Sequence, residues 1–331
     1  MSLLSAIQWD TFLSQHPEAH LLQTPAWGAL KAAHGWEPYY VQAQAAGAQV
    51  LFRKLPLGFH IAYIPKGPVG QEWNSLWPEV DRLCRQKRAV FLKVEPDQFE
   101  PAPQWMSAGL RGFLPGQKPI QPRRSVVIDL SGPPEAWLER MKQKTRYNIR
   151  LAERKGIQIQ PSADIETYQR LAAVTGQRDG FGVHNLAYHR RAYELYACRG
   201  ESVLLVASYQ ERSLAAVMVF RHGSRAWYLY GASNDMERNR MPTYLLQWEA
   251  MRWAAQQGCT SYDLWGIPDA EEDQLEQSFS GRSDGLWGVY RFKRGFGGTV
   301  VRSVGAWDRV YQPALYRLYH LWESKRSSRE D

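Results

Sequence analysis

Cysteine is scarce in this chain: Cys84, Cys198 and Cys259 stand far apart and are odd in number. Their spacing matches neither a thiolate metal site nor a disulfide framework, so a reducing compartment and buried thiols are expected. The eight histidines show no HExxH pattern, which leaves metal catalysis without support. No apolar run reaches the roughly 20 residues that cross a bilayer, and residues 1–6 carry neither a charged leader region nor a cleavage site. The chain therefore reads as cytoplasmic, with contact at a membrane surface left open. Acidic residues are outnumbered, 33 Asp+Glu against 41 Lys+Arg, for a formal charge of +8. That surplus favours an anionic partner such as RNA, a nucleotide or an acidic lipid.

What is present fits a globular protein, with 44% apolar and 22% charged residues. At 331 residues the chain exceeds what one core usually serves, so two domains are expected.

Residues 137–159, WLERMKQKTRYNIRLAERKGIQI, organise the rest. Pro133, Pro134 and Glu135 precede them, where a fixed φ and a negative charge suit a helix N-terminus. Leu138, Met141, Thr145, Ile149 and Ala152 recur with a helical period and form one narrow, mostly apolar face. Around it lie Arg140, Lys142, Lys144, Arg146, Arg150, Arg154 and Lys155, opposed by Glu139 and Glu153. Gly156 can end the helix at positive φ, and Ile157 and Ile159 alternate as a strand does. One continuous helix is predicted, docked by a stripe and positive elsewhere. Its outer surface is either a solvated face or a contact for a polyanion.

Read in order, the chain opens with a helix over 5–16 that turns Ile7, Phe12 and Leu13 inward, and a second follows Gln23-Thr24-Pro25. Strands at 38–44, 50–53 and 59–64, a helix at 73–87 and a buried strand at 89–94 come next. Prolines at 101, 103, 115, 119 and 122 then place a domain junction near Gln121. Beyond it are a strand at 125–130, the basic helix, and helices at 165–175 and 186–198. Strands at 202–208, 214–221 and 226–230, a helix at 244–256 and a strand at 260–264 follow. A polar loop at 281–285 leads to an aromatic and basic stretch at 287–296, a strand at 299–304, a helix at 308–322 and a polar tail. Tyr228 and Tyr230 alternate with Trp227 and Leu229, so both are predicted on one side, lining a cleft or packing a core. Phe52-Arg53, a turn, Tyr63 before Gly67, a helix and a strand ending at Pro96 recur as Phe220-Arg221, a turn, Tyr228 before Gly231, a helix and a strand ending near Pro268. That order suggests a duplicated β-β-α-β unit, against chance similarity of two mixed segments.

Four stretches together resemble the Fem family of peptidoglycan-branching aminoacyltransferases. They are Gln23-Thr24, Trp27, Lys31 and Gly35-Trp36; YIPKGPV at 63–69; IQPRRSVVIDL at 120–130 with 142–156; and Phe292-Lys293 with Phe296-Gly297. They span nearly the whole chain in the family's order. The resemblance implies an α/β (α+β) protein of two tandem acetyltransferase-like (GNAT) domains, with mixed twisted sheets flanked by helices. Residues 1–120 with 302–331 would form the first, acceptor-side domain, and 121–301 the second. Relatives return their C-terminal helix to the first domain. No heptad run stands where some members insert a coiled-coil arm, so this is expected to be the short form.

The reaction so implied moves an aminoacyl group from an aminoacyl-tRNA to the stem-peptide amine of a UDP-linked or lipid-linked muropeptide. The ester is already activated, so no cofactor or metal is required; orientation, oxyanion stabilisation and a proton route suffice. By resemblance Lys293 with the Phe292 backbone occupies the catalytic position, against a surface lysine in a basic loop. Lys31 resembles the lysine that grips the acceptor's phosphates, and Tyr188 a neighbouring acceptor contact. His184 stands where relatives carry an arginine, and would be a weaker, pH-dependent phosphate partner. Tyr228 and Tyr230 are candidates for the cleft wall. Glu95 sits where relatives often have an aspartate, as a proton-transfer group or a structural carboxylate. Lys142, Lys144, Arg146 and Arg150 are the candidate tRNA contacts. Transient contact with the inner membrane surface is left open, and a monomer is favoured. Two other readings compete. An acyl-CoA N-acyltransferase on the same fold needs a glycine-rich pyrophosphate turn, but the corresponding residues 238–243 read RNRMPT. A non-catalytic RNA-binding module leaves the Lys31 and Phe292-Lys293 matches unexplained.

Overall fold

The computed structural model describes residues 3–282 and 284–327, with side chains to 323. The polar tail beyond 327 and part of the 281–285 loop lie outside the described residues. The chain divides into two compact units, Met1–Gln121 with Ser303–Asp331 and Pro122–Arg302. Among the described residues, no helix is long and apolar enough to cross a membrane.

In the first unit, strands Trp36–Ala43, Ala46–Lys54 and His60–Pro65 run antiparallel in turn, and Ala89–Glu95 joins them in parallel. Helix Trp73–Gln86 makes that crossover. Its Leu76, Trp77, Val80, Leu83 and Cys84 recur at helical spacing and bury themselves against Val50, Phe52, Ile64, Leu92 and Val94 of the sheet. Helix Ala6–Ser14 buries Trp9, Phe12 and Leu13, an i, i+3, i+4 set, which turns Ile7 outward, 81% exposed, and corrects the inward placement from sequence. Residues 308–312 are not helical as expected. Trp307–Val310 is a strand antiparallel to Ala89–Glu95, and the final helix begins at Pro313, whose fixed φ suits a first turn. That helix lays Tyr316 and Tyr319 against Phe91, with ring centroids 5.2 and 5.3 Å apart.

The second unit repeats the plan. Strands Ser202–Tyr209, Arg212–His222 and Arg225–Ser233 run antiparallel in turn, helix Pro242–Gln256 crosses over, and Ser261–Ile267 returns in parallel. Arg124–Asp129 then pairs with it antiparallel, as Trp307–Val310 does with Ala89–Glu95. The repeat read from the sequence is therefore a repeat of topology. Cys84 and Cys259 are buried as expected, but Cys198 is exposed because it sits at the end of helix Leu186–Ala197.

The basic segment differs from the single helix predicted for it. It forms two helices, Pro134–Arg140 and Gln143–Arg154, separated where Met141 and Lys142 take ψ 149° and 145°. The cause is distant in sequence. Gly295 carbonyl oxygen accepts from Lys142 N–H at 2.9 Å. A Cβ on Gly297, whose φ is +77°, would lie 2.4 Å from Arg140 carbonyl oxygen. A loop pressed into the break thus overrides local helix propensity.

Candidate active site

The two parallel strand pairs differ in one respect that creates a site. In the first unit the parallel pairing runs to the strand ends, from His60 opposite Ala89 to Pro65 opposite Glu95. In the second it covers only Arg225 opposite Ser261 to Trp227 opposite Asp263. Beyond that point the strand Arg225–Ser233 stays with Arg212–His222, while Gly266 and Ile267 stay with Arg124 and Ser125. The sheet opens between them, exposing backbone polar groups that must find partners.

Lys293 supplies one partner. It ends helix Trp287–Lys293, is 5% exposed, and donates from Nζ to the carbonyls of Trp265 at 3.0 Å and Gly266 at 2.8 Å. Its ammonium lies 5.7 Å from the Tyr228 ring centroid. Burial pushes its pKa down to about 7, opposed by the charge of Asp263. The carbonyls face Lys293 through an irregularity in their strand. Pairing with Arg124–Asp129 shifts register between Asp263 and Gly266, and Trp265 takes φ +62°. Asp263 accepts from Trp265 N–H at 2.7 Å and from the Ser125 hydroxyl. These groups escaped the sequence reading. Their one visible signal was an acid two residues before Trp-Gly inside the otherwise apolar strand YDLWGI.

The Phe292–Gly297 stretch holds the helix end in place. Phe292 and Phe296 meet edge to face at 5.1 Å, and Tyr244 meets Phe292 at 5.0 Å. The Phe292 carbonyl accepts the capping N–H of Arg294. A Cβ on Gly295 would lie 2.2 Å from Thr145 Oγ1, so glycine there permits the close approach to the basic helix. Arg294 forks onto Glu276, which also accepts from the Tyr290 hydroxyl at 2.7 Å. The Arg294 guanidinium holds the Glu276 carboxyl down at about 2.

Tyr228 and Tyr230 do not share a face, contrary to the alternation read in sequence. The register with Arg212–His222 slips between Met218 and Val219, so Tyr228 opposes Val219 and Tyr230 opposes Met218. Leu229 is the extra residue. Tyr228 thereby reaches Lys293, whereas Tyr230 packs edge to face on Phe220 at 5.8 Å and meets the Tyr188 hydroxyl at 3.2 Å. Tyr188 is 3% exposed, and the exposed ring of His184 stacks on it at 3.7 Å. Beneath them His189 bonds Gln169 at 2.7 Å, its pKa pushed down to about 4 by burial. Of the catalytic and acceptor-side candidates in this unit, the fold brings Lys293 together with Phe292 and Tyr228, and His184 with Tyr188 and Tyr230.

In the first unit Lys31 lies in the last turn of helix Pro25–Ala32, capped by Thr24, and its Nζ stands 4.5 Å over the Trp27 ring. Glu95 is 2% exposed and committed: Tyr63 hydroxyl donates to it at 2.6 Å, Gln121 N–H at 3.1 Å, and Ile120 N–H as well. Burial raises its pKa while those three donors oppose the rise. This is the geometry of a structural carboxylate fastening residues 120–121.

On helix Gln143–Arg154, Thr145, Asn148, Ile149 and Ala152 are buried, and Lys144 and Arg150 are exposed, as is Lys142 at its N-terminal cap. Arg146, Arg150 and Arg154 line a shallow hollow with Gln143, Tyr147 and Glu153. Arg146 is partly spent within the fold: its Nη1 donates to the Leu138, Glu139 and Met141 carbonyls, closing the end of the preceding helix.

The duplicated β-β-α-β sheets and the opening in the second define a tandem acetyltransferase-like (GNAT) protein. Two solved structures share that fold. FemX superposes with a TM-score of 0.84 at 22% identity, over 96% of this chain and 99% of that one. A tandem GNAT protein from the clavulanic acid biosynthesis pathway gives 0.50 at 12% identity, over 92% and 96%. The FemAB family model matches residues 4–106, 104–212 and 205–324, and the chain belongs to that family. Lipid II:glycine glycyltransferase of Staphylococcus saprophyticus is 24% identical over 398 residues, covering 93% of this chain and 92% of that protein. Helices among the described residues reach at most 15 residues, so no coiled-coil arm stands among them.

Proposed function

We propose that this protein is an aminoacyltransferase of peptidoglycan bridge formation, moving an amino acid from an aminoacyl-tRNA to the stem-peptide amine of a muropeptide precursor. The observation that carries the reading is the buried Lys293 ammonium in the opening of the second sheet. The acceptor amine attacks the ester carbonyl, the tetrahedral oxyanion forms, and the bond to the ribose oxygen breaks as the amine proton passes to the leaving oxygen. An ammonium has three donors; two bind the Trp265 and Gly266 carbonyls, which leaves one for the oxyanion. A lipid-borne acceptor, as in the name of the glycyltransferase, would bring the protein to the cytoplasmic face of the inner membrane.

Against an acyl-CoA donor stands the turn before helix Pro242–Gln256. Pro242 removes an N–H from its first turn, and Arg240 is bound to Glu237 at 2.6 Å and to the Lys155 carbonyl at 2.8 Å. Offering charged tRNA and acetyl-CoA side by side, with UDP-linked and lipid-linked muropeptide, tests the reading. Transfer from tRNA alone is expected; transfer from acetyl-CoA would overturn it.

Lys31 takes a phosphate of the acceptor in this scheme. Lys31→Met is expected to raise acceptor KM about 10–100-fold, the worth of one charged hydrogen bond, with kcat within a few-fold of wild type. A fall in kcat at unchanged KM would reassign it. Lys144 and Arg150 contact tRNA phosphates. Neutralising both should weaken tRNA binding and flatten its salt dependence by about 0.7–0.9 per lost contact. An unchanged slope makes the helix a solvated face.

A further inference from the structure

We propose that Asp263 is the positioning residue for Lys293, acting through the strand irregularity at 263–266. The inference rests on the reading of Lys293 above. Asp263 is 7% exposed, at the last paired position before the parallel strands separate. One of its oxygens accepts from both Trp265 N–H and the Ser125 hydroxyl. That bond folds the backbone back on itself, the arrangement in which Trp265 can hold φ +62°. In this conformation the Trp265 and Gly266 carbonyls are the seat of Nζ. The same carboxylate places a negative charge near an ammonium that burial alone would discharge. Asp263 therefore does two things: it shapes the seat and it keeps the occupant charged.

The other titratable groups on the surrounding elements leave that charge to Asp263. Tyr228 is pushed up to about 12 and Tyr262 well above its ordinary value by burial, so both stay neutral. Tyr290 is raised too, by burial and then Glu276. Arg124 is bound to Asp269 and Glu271, and Arg294 to Glu276.

Asp263→Asn separates the two roles, since the amide oxygen can still accept from Trp265 N–H while the charge is gone. The midpoint of Lys293, read directly by heteronuclear NMR of the lysine amine, is expected to fall by about one pH unit. The alkaline limb of kcat should move with it, while kcat at pH 6 stays within about threefold of wild type. Asp263→Glu keeps the charge but displaces it by a methylene, so kcat should fall about tenfold with acceptor KM unchanged. An unmoved Lys293 midpoint in the asparagine variant, or full activity in the glutamate variant, overturns the proposal. A moved midpoint in an enzyme whose Lys293→Met variant is fully active would leave Asp263 as the positioning residue and remove Lys293 from catalysis.

Discussion

Lys293→Met is expected to lower kcat by about 10²–10³, the usual consequence of losing one oxyanion donor. Methionine keeps much of the stem's volume and removes the charge, so the opening in the second sheet stays filled. Acceptor and tRNA affinities should change less than about tenfold, because the interaction belongs to the transition state. In the wild-type enzyme kcat should decline as pH rises through about 7, where the buried ammonium discharges. The variant should lack that limb. Its stability should move the other way. Above about 7 the folded lysine is neutral, whereas the unfolded one keeps its proton to its ordinary value of 10.5. Wild-type stability therefore rises with pH across that window. The melting temperature of Lys293→Met relative to wild type should therefore rise as pH falls from 10.5 through about 7, on top of a pH-independent loss from leaving the Trp265 and Gly266 carbonyls without their donor. Loss of binding with intact saturated turnover would make Lys293 a binding group instead.

Asp308→Ala is expected to cost about 3–5 kcal/mol of stability, because it strands a buried charge. Asp308 is fully buried, pairs with Lys93 at 2.9 Å and accepts from the Tyr316 hydroxyl at 2.9 Å. Lys93→Ala should cost a similar amount, and the double replacement less than the sum, since either single change leaves the other charge unpaired. Urea unfolding measures all three. A loss below about 1 kcal/mol, as for an exposed pair, would mean that strand Trp307–Val310 is not fastened to Ala89–Glu95 through this bond.

What the sequence conveyed and what it withheld follow from the range of the forces involved. Helix Trp73–Gln86 and its neighbouring strands were legible because their apolar period is local and their ends carry turn residues. The duplicated plan was legible for the same reason, in the recurrence of Phe-Arg, turn, Tyr before Gly, helix and strand. The break at Met141-Lys142 was not, since its cause is the backbone of Gly295 and Gly297, far along the chain. Nor was the slip at Met218 and Val219, which put Tyr228 and Tyr230 on opposite faces; a one-residue slip leaves the alternation of letters intact. Asp308 read as helical because Tyr311, Leu315 and Leu318 keep the period, yet a strand partner in Ala89–Glu95 claimed residues 307–310 first. Lys293 entered through its resemblance to a family motif. Its seat of two carbonyls could not, because backbone atoms have no letters.

On this account the chain joins an amino acid to the stem-peptide amine of a peptidoglycan precursor. Tandem mass spectrometry of the muropeptide after incubation with the protein and a pool of charged tRNA tests it most directly. The predicted result is a product heavier by one or more amino-acid residues, in amide linkage at the side-chain amine of the stem, formed by wild type and nearly absent with Lys293→Met. An unmodified muropeptide under conditions where both substrates bind would contradict it.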